Sequence, residues 1–171
     1  MQEIILNQQK TCCFTGHRPQ KLPWGFNENH PRCVEMKQKL STQIEKAIEK
    51  GYEIFWCGMA LGFDMICAET VLNLKKKHPH IKLFGALPCK NQDAFWPKDQ
   101  KVRYQNLLSQ LNGVRCIYNQ YNGAECMHER NHFMIDSSTL VIALFDGKAG
   151  GTALTVNYAK SQGKQVIELR P

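Results

Sequence analysis

The sequence has no apolar run that approaches the roughly 18 residues of a membrane-spanning helix, although 43% of its 171 residues are hydrophobic. Its first ten residues, MQEIILNQQK, lack the basic lead and long apolar core of a secretion signal. We therefore expect a soluble, cytoplasmic protein without membrane association. Its length suits one domain, residues 1–171, with a sizeable buried core.

A Cys-x-x-Cys pair is also missing, although the chain contains eight cysteines. In a secreted chain of this length, eight cysteines would suggest disulfide bonds. Here Cys12, Cys13, Cys57 and Cys116 lie within apolar, strand-like runs. We expect them to stay reduced and to pack as small apolar side chains.

Concentrated positive charge is scarce as well. The net charge is +7, but the only basic block is Lys75–Lys77, at a predicted helix end where cations suit the helix dipole. Nucleic-acid-binding proteins usually gather their charge more than this. The charge therefore supports a small phosphate-bearing ligand and gives weak support to a nucleic-acid partner.

The hydrophobic pattern alternates between strands and helices along the whole chain. Predicted strands cover residues 11–15, 53–58, 81–88, 114–118, 139–145 and 165–169, and predicted helices cover 31–51, 64–77, 98–111, 124–137 and 152–162. Such alternation predicts βαβ units, hence an α/β domain with a mostly parallel sheet and helices on both faces. Ligands of such sheets bind beyond the carboxyl ends of the strands.

The first predicted strand ends in an unusual stretch. Gly16 lets the backbone turn and approach a ligand, His17 belongs to that turn, and Pro19 stops the strand. Arg18 then offers paired donors that suit a phosphate. The alternative is that Arg18 only pairs with a surface carboxylate such as Glu28.

The second strand runs into a segment with two glycines four residues apart, Gly58 and Gly62, just before a helix. A turn of this kind can present backbone amides to an anion. The dinucleotide fingerprint Gly-x-Gly-x-x-Gly is absent. Asp64 is either a simple helix N-cap or a group that binds ligand or organises the site.

The fifth strand leads into a second glycine-rich turn. Gly150 and Gly151 precede Thr152 at the start of a helix, and Asp146 lies directly after the strand. Their amides and the threonine hydroxyl suit a phosphate or a ribose oxygen. The plainer interpretation is a tight turn with Thr152 as N-cap, and Lys148 is expected to be solvated.

Two further segments have competing interpretations. At the third strand end, Pro88 and Gln92 are candidate ligand-binding residues. Gln92 and Trp96 either hold or stack a base, or Trp96 packs beneath a loop. His128 and His132 match the His-Glu-x-x-His pattern of zinc proteases, but no third ligand is evident. We expect no metal there and a helix with polar residues on its exposed or crevice-facing side.

Taken together, these segments resemble the SLOG superfamily and, within it, the YpsA-like branch. The superfamily also contains the DNA-processing protein DprA and the lonely-guy phosphoribohydrolases. The resemblance covers about residues 11–169 and rests on TGHRP, GMALGFD, LPCKNQDAFW, RNHFMIDSS and DGKAGGT. It implies a single Rossmann-like domain whose glycine-rich crevice binds nucleotides or nucleotide-derived molecules. The residues that match the family pattern are Gly62, Asp64, Arg130, Asn131, Asp136, Gly150, Gly151 and Thr152.

The sequence departs from the enzymatic branch at one point. The phosphoribohydrolases have acidic residues two and three places beyond the threonine, where this chain has Leu154 and Thr155. Cleavage of an N-glycosidic bond needs a carboxylate to stabilise the sugar cation or to activate water. Asp64 is the first candidate to replace it, with Glu69 and Asp146 as others, and whether the protein is an enzyme stays open.

Our leading hypothesis is a cytoplasmic protein that binds a nucleotide or nucleotide-derived ligand and acts as a sensor or regulator. The alternatives are a phosphoribohydrolase or related nucleotide hydrolase and a DprA-like module for single-stranded DNA. No cofactor is expected beyond the nucleotide or other phosphate-bearing ligand itself. Family analogy adds the expectation of a homo-oligomer, in particular a homodimer.

Overall fold

The computed structural model describes residues 10–171. Its strands are β1 (Thr11–Gly16), β2 (Ile54–Cys57), β3 (Lys82–Cys89), β4 (Gly113–Tyr118), β5 (Leu140–Leu144) and β6 (Gln165–Leu169). Its helices are α1 (Pro31–Glu49), α2 (Phe63–Lys75), α3 (Lys98–Leu108), α4 (Gly123–Asp136) and α5 (Gly151–Ser161). None of the helices within residues 10–171 is both long and apolar enough to cross a bilayer.

The six strands form one sheet in the order β4-β3-β2-β1-β5-β6, and all five neighbouring pairs are parallel. The chain builds outward from β1 to β4 and then crosses to the other side of β1, where β5 pairs with it. Strand order therefore reverses between β1 and β5, which is where open α/β sheets form a ligand crevice. The predicted α/β, Rossmann-like fold is confirmed.

The alternating side chains of β1 show why helices cover both faces of the sheet. Cys12 and Phe14 belong to the large core that packs beneath α1, α2 and α3. Cys13 points to the other face, where it joins Met134 of α4 and Ala159 of α5 in a smaller core. Successive strand residues face opposite sides, so a strand buried on both faces must be apolar throughout.

The observed boundaries differ from the predicted ones by one to three residues. Gly16 is the last residue of β1 rather than the first residue after it, and Leu111 lies beyond α3 rather than on it. A short 3-10 turn at Pro19–Lys21 was not predicted. Proline at its first position fixes the backbone angle that such a turn needs, and the turn keeps the chain close to the end of β1.

All eight cysteines are free, and seven of them are buried. Burial raises the pKa of the Cys12 and Cys57 thiols well above the ordinary value, and it raises that of Cys13 to about 12. These thiols are therefore protonated at neutral pH and pack as apolar groups, as their apolar surroundings in the sequence predict.

An ion network on one flank fastens three elements together. Arg103 of α3 donates from Nε and Nη2 to the two carboxylate oxygens of Glu69 on α2, each at 2.7 Å. Its Nη1 donates to Glu28, in the loop before α1, and Lys37 of α1 pairs with the same carboxylate at 2.7 Å. Burial would raise the pKa of Glu28, but the hydrogen bonds from Arg103 and Lys37 hold it below its ordinary 4.5.

We predict that Glu28→Gln lowers the free energy of unfolding at pH 7 by about 1–2 kcal/mol, because Arg103 and Lys37 both lose a charged partner. A lowered carboxyl pKa stabilises the fold above the unfolded value of 4.5 and loses that effect as pH falls through the folded value. The difference between variant and parent should therefore shrink below about pH 4.5. Urea denaturation at several pH values measures it.

The matched control is Glu35→Gln, which breaks the exposed pair of Glu35 with Lys39 within α1. It should leave the free energy of unfolding nearly unchanged, because exposed helix pairs contribute little to stability. Equal effects of the two substitutions at pH 7 would contradict a stabilising role for the Glu28 network.

Candidate functional site

His17 joins the segments that follow β1 and β5. Gly16 is paired with Leu144 at the ends of these two strands, so the following residues leave the sheet side by side. The His17 ring is only 3% exposed. Its Nδ1 lies 3.2 Å from the Thr152 hydroxyl, and its Nε2 lies 3.1 Å from Asp146 Oδ1, at ion-pair distance but without hydrogen-bond alignment. One buried ring therefore holds the two sides of the crevice together.

The segment after β5 places a helix N-terminus at this edge. Gly150, with a φ of 149°, precedes the first residue of α5, and no side chain among residues 10–171 caps that helix. The first amides of a helix have no partner within it. Thr152 is the second residue of α5 and contacts His17, so the interpretation of Thr152 as N-cap is wrong.

The carboxylate of Asp146 is held by the same turn. The Lys148 amide donates to its Oδ1 at 3.0 Å. That hydrogen bond and the neighbouring His17 keep the pKa of Asp146 below its ordinary value. Asp146 is therefore ionised at neutral pH and is positioned by contacts within the protein.

The segments after β1 and β2 pack so closely that two positions have no room for a side chain, and both are glycine. A Cβ on Gly62, where φ is 89°, would lie 2.7 Å from the His17 carbonyl oxygen, which also accepts the Phe63 amide at 3.2 Å. A Cβ on Gly16 would lie 2.4 Å from the Phe63 ring. Both glycines are thus required by contact between the two segments, and a ligand role for either stays a prediction.

A buried guanidinium lies beneath the segment after β2. Arg130 of α4 is 4% exposed, and its Nη1 donates to the carbonyl oxygens of Gly58 and of Ala86, the latter at 3.3 Å. A Cβ on Gly58 would lie 2.4 Å from that Nη1 and 2.7 Å from Asp64 Oδ2. Only glycine therefore fits between the Arg130 guanidinium and the Asp64 carboxylate.

Asp64 is the acidic partner in this buried arrangement. It is 7% exposed, and its Oδ2 accepts the Ala60 amide at 3.2 Å. Burial raises the pKa of Asp64, although the charge of Arg130 and the Ala60 amide oppose that rise. Burial likewise lowers the pKa of Arg130, which the charge of Asp64 opposes. Gly62 caps α2 and Asp64 is its second residue, so the interpretation of Asp64 as N-cap is wrong.

Arg18 lies at the surface of the crevice, above this pair. Its Nη2 is 3.7 Å from the sulfur of Met127, which Arg130 also approaches at 3.9 Å. No ion pair within residues 10–171 includes Arg18. Glu28, the alternative partner suggested by the sequence, is instead bound by Arg103 and Lys37. Apart from the contact of Nη2 with Met127, no partner within residues 10–171 occupies the donors of the exposed Arg18 guanidinium.

The segment after β3 supports the crevice from behind. Gln92 donates to the Met59 carbonyl oxygen and to the Tyr104 hydroxyl, both at 3.1 Å, and Trp96 packs edge-on against Tyr104. Met59 has a φ of 55°, a strained backbone conformation for a residue with a side chain. Of the two interpretations of Trp96, packing beneath a loop fits the structure, and Gln92 holds the strained turn.

Pro88 and Asn131 also have structural contacts. Pro88 is buried within β3. The Asn131 side-chain amide donates to the Thr155 hydroxyl at 3.1 Å, and that hydroxyl donates to the Gly151 carbonyl oxygen at 3.1 Å. This chain of bonds connects α4 to the first turn of α5. Leu154, in contrast, is exposed.

Three polar residues of α4 that the sequence analysis singled out lie away from the crevice contacts described above. Asp136 is the last residue of α4, at the end of the helix opposite Gly123, and it accepts a hydrogen bond from the Tyr158 hydroxyl at 2.9 Å. His132 stacks on Tyr158 at 3.9 Å, and His128 is exposed. Between residues 10 and 171, no group of three or more metal-ligating side chains lies close enough to hold an ion.

Sequence reasoning missed Met127 and Lys21. A methionine on an amphipathic helix gives no functional signal, because Met usually fills apolar space. Lys21 lies in the unpredicted turn at Pro19–Lys21, and its ammonium reaches the position where a Cβ on Gly150 would lie, at 2.4 Å. The spacing of Lys21 and Gly150 in the sequence gives no hint of that approach.

The comparison with protein-family models gives one match. Residues 12–168 match the model of the YspA SLOG family. Among curated proteins, the SPbeta prophage-derived protein YoqJ of Bacillus subtilis strain 168 is 36% identical in an alignment 157 residues long, which covers 83% of this chain and 91% of YoqJ. The match to the family model therefore covers nearly the whole sheet and all five helices.

Two solved structures share the fold. DNA processing protein A (DprA) from Streptococcus pneumoniae aligns over 92% of this chain with a TM-score of 0.65 and 16% identity. DprA from Helicobacter pylori, whose structure concerns its single-stranded DNA binding mode, aligns over 92% with a TM-score of 0.60 and 20% identity. This chain spans 49% of the first protein and 64% of the second. At sequence identities this low, the similarity shows a shared fold alone.

We predict that Gly58→Ala lowers the free energy of unfolding by about 1–3 kcal/mol, the usual effect of overpacking a buried site. The added methyl would press on Arg130 Nη1 and on Asp64 Oδ2. Gly151→Ala is the matched control, since a Cβ there meets nothing within 4 Å. It should be neutral or slightly stabilising, because alanine favours helices more than glycine does. Chemical denaturation compares the two, and equal midpoints would contradict a tightly packed Arg130–Asp64 pair.

Proposed function

Since this chain belongs to the YspA SLOG family, we propose that it binds a nucleotide or nucleotide-derived ligand between the ends of β1 and β5. The ligand carries at least one phosphate, and its binding serves a sensing or regulatory role. The observation that carries the proposal is the exposed Arg18 guanidinium, which lies at the strand-order reversal without a carboxylate partner among the described residues.

The charge of this crevice favours an anion. Arg18 and Arg130 share the sulfur of Met127, so two guanidinium groups lie close together. Asp64 is their one buried carboxylate neighbour. A phosphate placed against Arg18 would accept two parallel hydrogen bonds from its planar fork and would balance the remaining positive charge.

The glycine-rich turn before α5 supports the same ligand class. Gly151 has open space where a Cβ would lie, so a ligand can approach its backbone closely. The uncapped amides of the first turn of α5 and the positive end of its dipole favour a phosphate oxygen. Thr152 adds a hydroxyl beside them, positioned by His17.

The arrangement supports binding more than it supports hydrolysis. Asp64, the first candidate for a catalytic acid, is directed to the Ala60 amide beneath the turn and is buried. Leu154 and Thr155 stand where the phosphoribohydrolases carry acids, and Thr155 is bound to Asn131 and Gly151. We therefore assign Asp64 the role of holding Arg130 and the β2–α2 segment in place.

A panel titration tests the proposal. Isothermal calorimetry with nucleoside mono- and diphosphates, cyclic nucleotides and ADP-ribose derivatives should give saturable binding for at least one class. A single-stranded oligonucleotide forms a separate arm, because one of the structures with this fold concerns single-stranded DNA binding by its own protein. Phosphate contacts to DNA weaken steeply with added salt. No heat from any nucleotide in the panel would overturn the proposal.

We predict that Arg18→Lys weakens binding of the identified nucleotide by about 10- to 100-fold in dissociation constant, since a lost charge-assisted fork costs about 1.5–3 kcal/mol. Lysine keeps the charge but cannot form two parallel bonds to one phosphate. The control is Arg115→Lys, on the edge strand β4, where the guanidinium lies over the Phe133 ring. It should leave affinity unchanged. Unaltered affinity in a folded Arg18→Lys protein would remove Arg18 from the site.

A further inference from the structure

A groove of about 510 Å³ lies beside the crevice, at the same edge of the sheet. Its walls come from the residues after β1, the first turn of α1, the segment after β5 and the residues after β6. The lining residues include four cations, Lys21, Arg32, Lys148 and Arg170, and one carboxylate, Asp146. Four segments that are distant in the sequence thus bring positive side chains to one concave surface.

The positive charge of the groove is only partly neutralised from within the protein. No ion pair between described residues includes Lys21 or Arg32. Lys148 is 84% exposed and its Nζ is 4.0 Å from Asp146 Oδ2, the outer limit for an ion pair. Arg170 donates to the Phe145 carbonyl oxygen at 3.0 Å and lies 3.5 Å from Glu168. Arg32 donates to the Pro171 carbonyl oxygen.

The groove and the crevice are continuous through two residues. Asp146 lines the groove and also contacts His17 in the crevice. Lys21 lines the groove and places its ammonium against Gly150, at the turn that opens α5. Asp146 and Lys21 therefore border both surfaces, so a ligand with one phosphate at Arg18 and the α5 turn would have the groove directly beside it.

We propose that the groove binds further phosphates of a phosphate chain, so that the preferred ligand is a nucleotide with two or more linked phosphates. This inference rests on the proposed nucleotide site and names its ligand class. A single phosphate group has few oxygens to accept hydrogen bonds. Arg18 and the amides of α5 already offer enough donors for these oxygens, so a single phosphate does not need the groove. Four additional cations in a continuous groove match additional phosphates, since multiply charged anions gain most from several cations at once.

The test compares mono- and triphosphates of adenosine, guanosine, cytidine and uridine by calorimetry in metal-free buffer. The variant is Arg32→Gln/Lys148→Gln, because both side chains are exposed residues of the groove and neither belongs to the proposed contacts of the first phosphate. The control is Lys76→Gln/Lys77→Gln at the other end of α2, which removes the same charge from the opposite edge of the sheet.

The wild-type protein should bind a triphosphate more tightly than the matching monophosphate. The groove variant should weaken triphosphate binding about tenfold and change monophosphate binding by less than about twofold. The control should change neither. If the variant weakens the binding of both ligands equally, or does not weaken triphosphate binding, the proposed role of the groove is overturned. Either result leaves the proposed nucleotide site at Arg18 intact.

Two further arms separate the source of the phosphates. If inorganic tripolyphosphate binds only when Arg32 and Lys148 are present, and no nucleotide binds at all, the nucleotide site and this inference about its ligand are both overturned. An oligothymidylate that displaces the triphosphate and is itself weakened by the groove variant would assign the groove to a nucleic-acid backbone, against the proposal. The proposal is supported if the nucleoside triphosphate displaces tripolyphosphate and the oligothymidylate does not.

Discussion

The guanidinium of Arg130, buried beneath the β2–α2 segment, is the group on which the shape of the crevice depends. It donates to the carbonyl oxygen of Gly58, directly after β2, and to that of Ala86 within the neighbouring strand β3. A buried charge of this kind is costly unless it is paired and hydrogen-bonded. Asp64 and these carbonyl groups offset the cost, and the space they occupy explains why position 58 must be glycine.

The same constraint determines where the exposed charge lies. Arg130 and Arg18 approach one sulfur atom of Met127 from α4 and from the end of β1. Their like charges repel each other, and this repulsion contributes to the lowered pKa of Arg130 after burial. An anion at Arg18 would relieve that repulsion. The two guanidinium groups beside one buried carboxylate among the described residues therefore support the proposal of an anionic ligand.

The fold was predictable because apolar strand-like runs alternate regularly with amphipathic helices along the chain. The apolar runs at 139–145 and 11–15 are what strands buried on both faces require, and the alternation with helices then determines the architecture. The local roles were less predictable. Gly16 and Gly62 were expected to admit a ligand, yet each also admits a neighbouring segment, the Phe63 ring or the His17 carbonyl group. A glycine in the sequence does not reveal what approaches it.

Other features depend on contacts between distant residues. Asp64 and Thr152 suited helix capping by their positions near predicted helix starts, but each helix begins earlier and glycine precedes it. Their side chains were therefore free for Ala60 and His17. The cationic groove could not be predicted at all, since its members lie in four segments and show no periodic spacing.

The polar groups of this sheet edge fall into two sets that differ in how their bonds are satisfied. Arg130, Asp64, Gln92 and Asn131 have partners within the protein and hold the segments after the strands in fixed positions. Arg18 and Lys21 are exposed and have no ion-pair partner among residues 10–171, and no side chain in that range caps the first amides of α5. A surface built in this way loses little conformational freedom when a ligand binds, because the backbone that presents the donors is already ordered. The interactions within the first set would therefore raise the affinity of the proposed ligand site for its ligand.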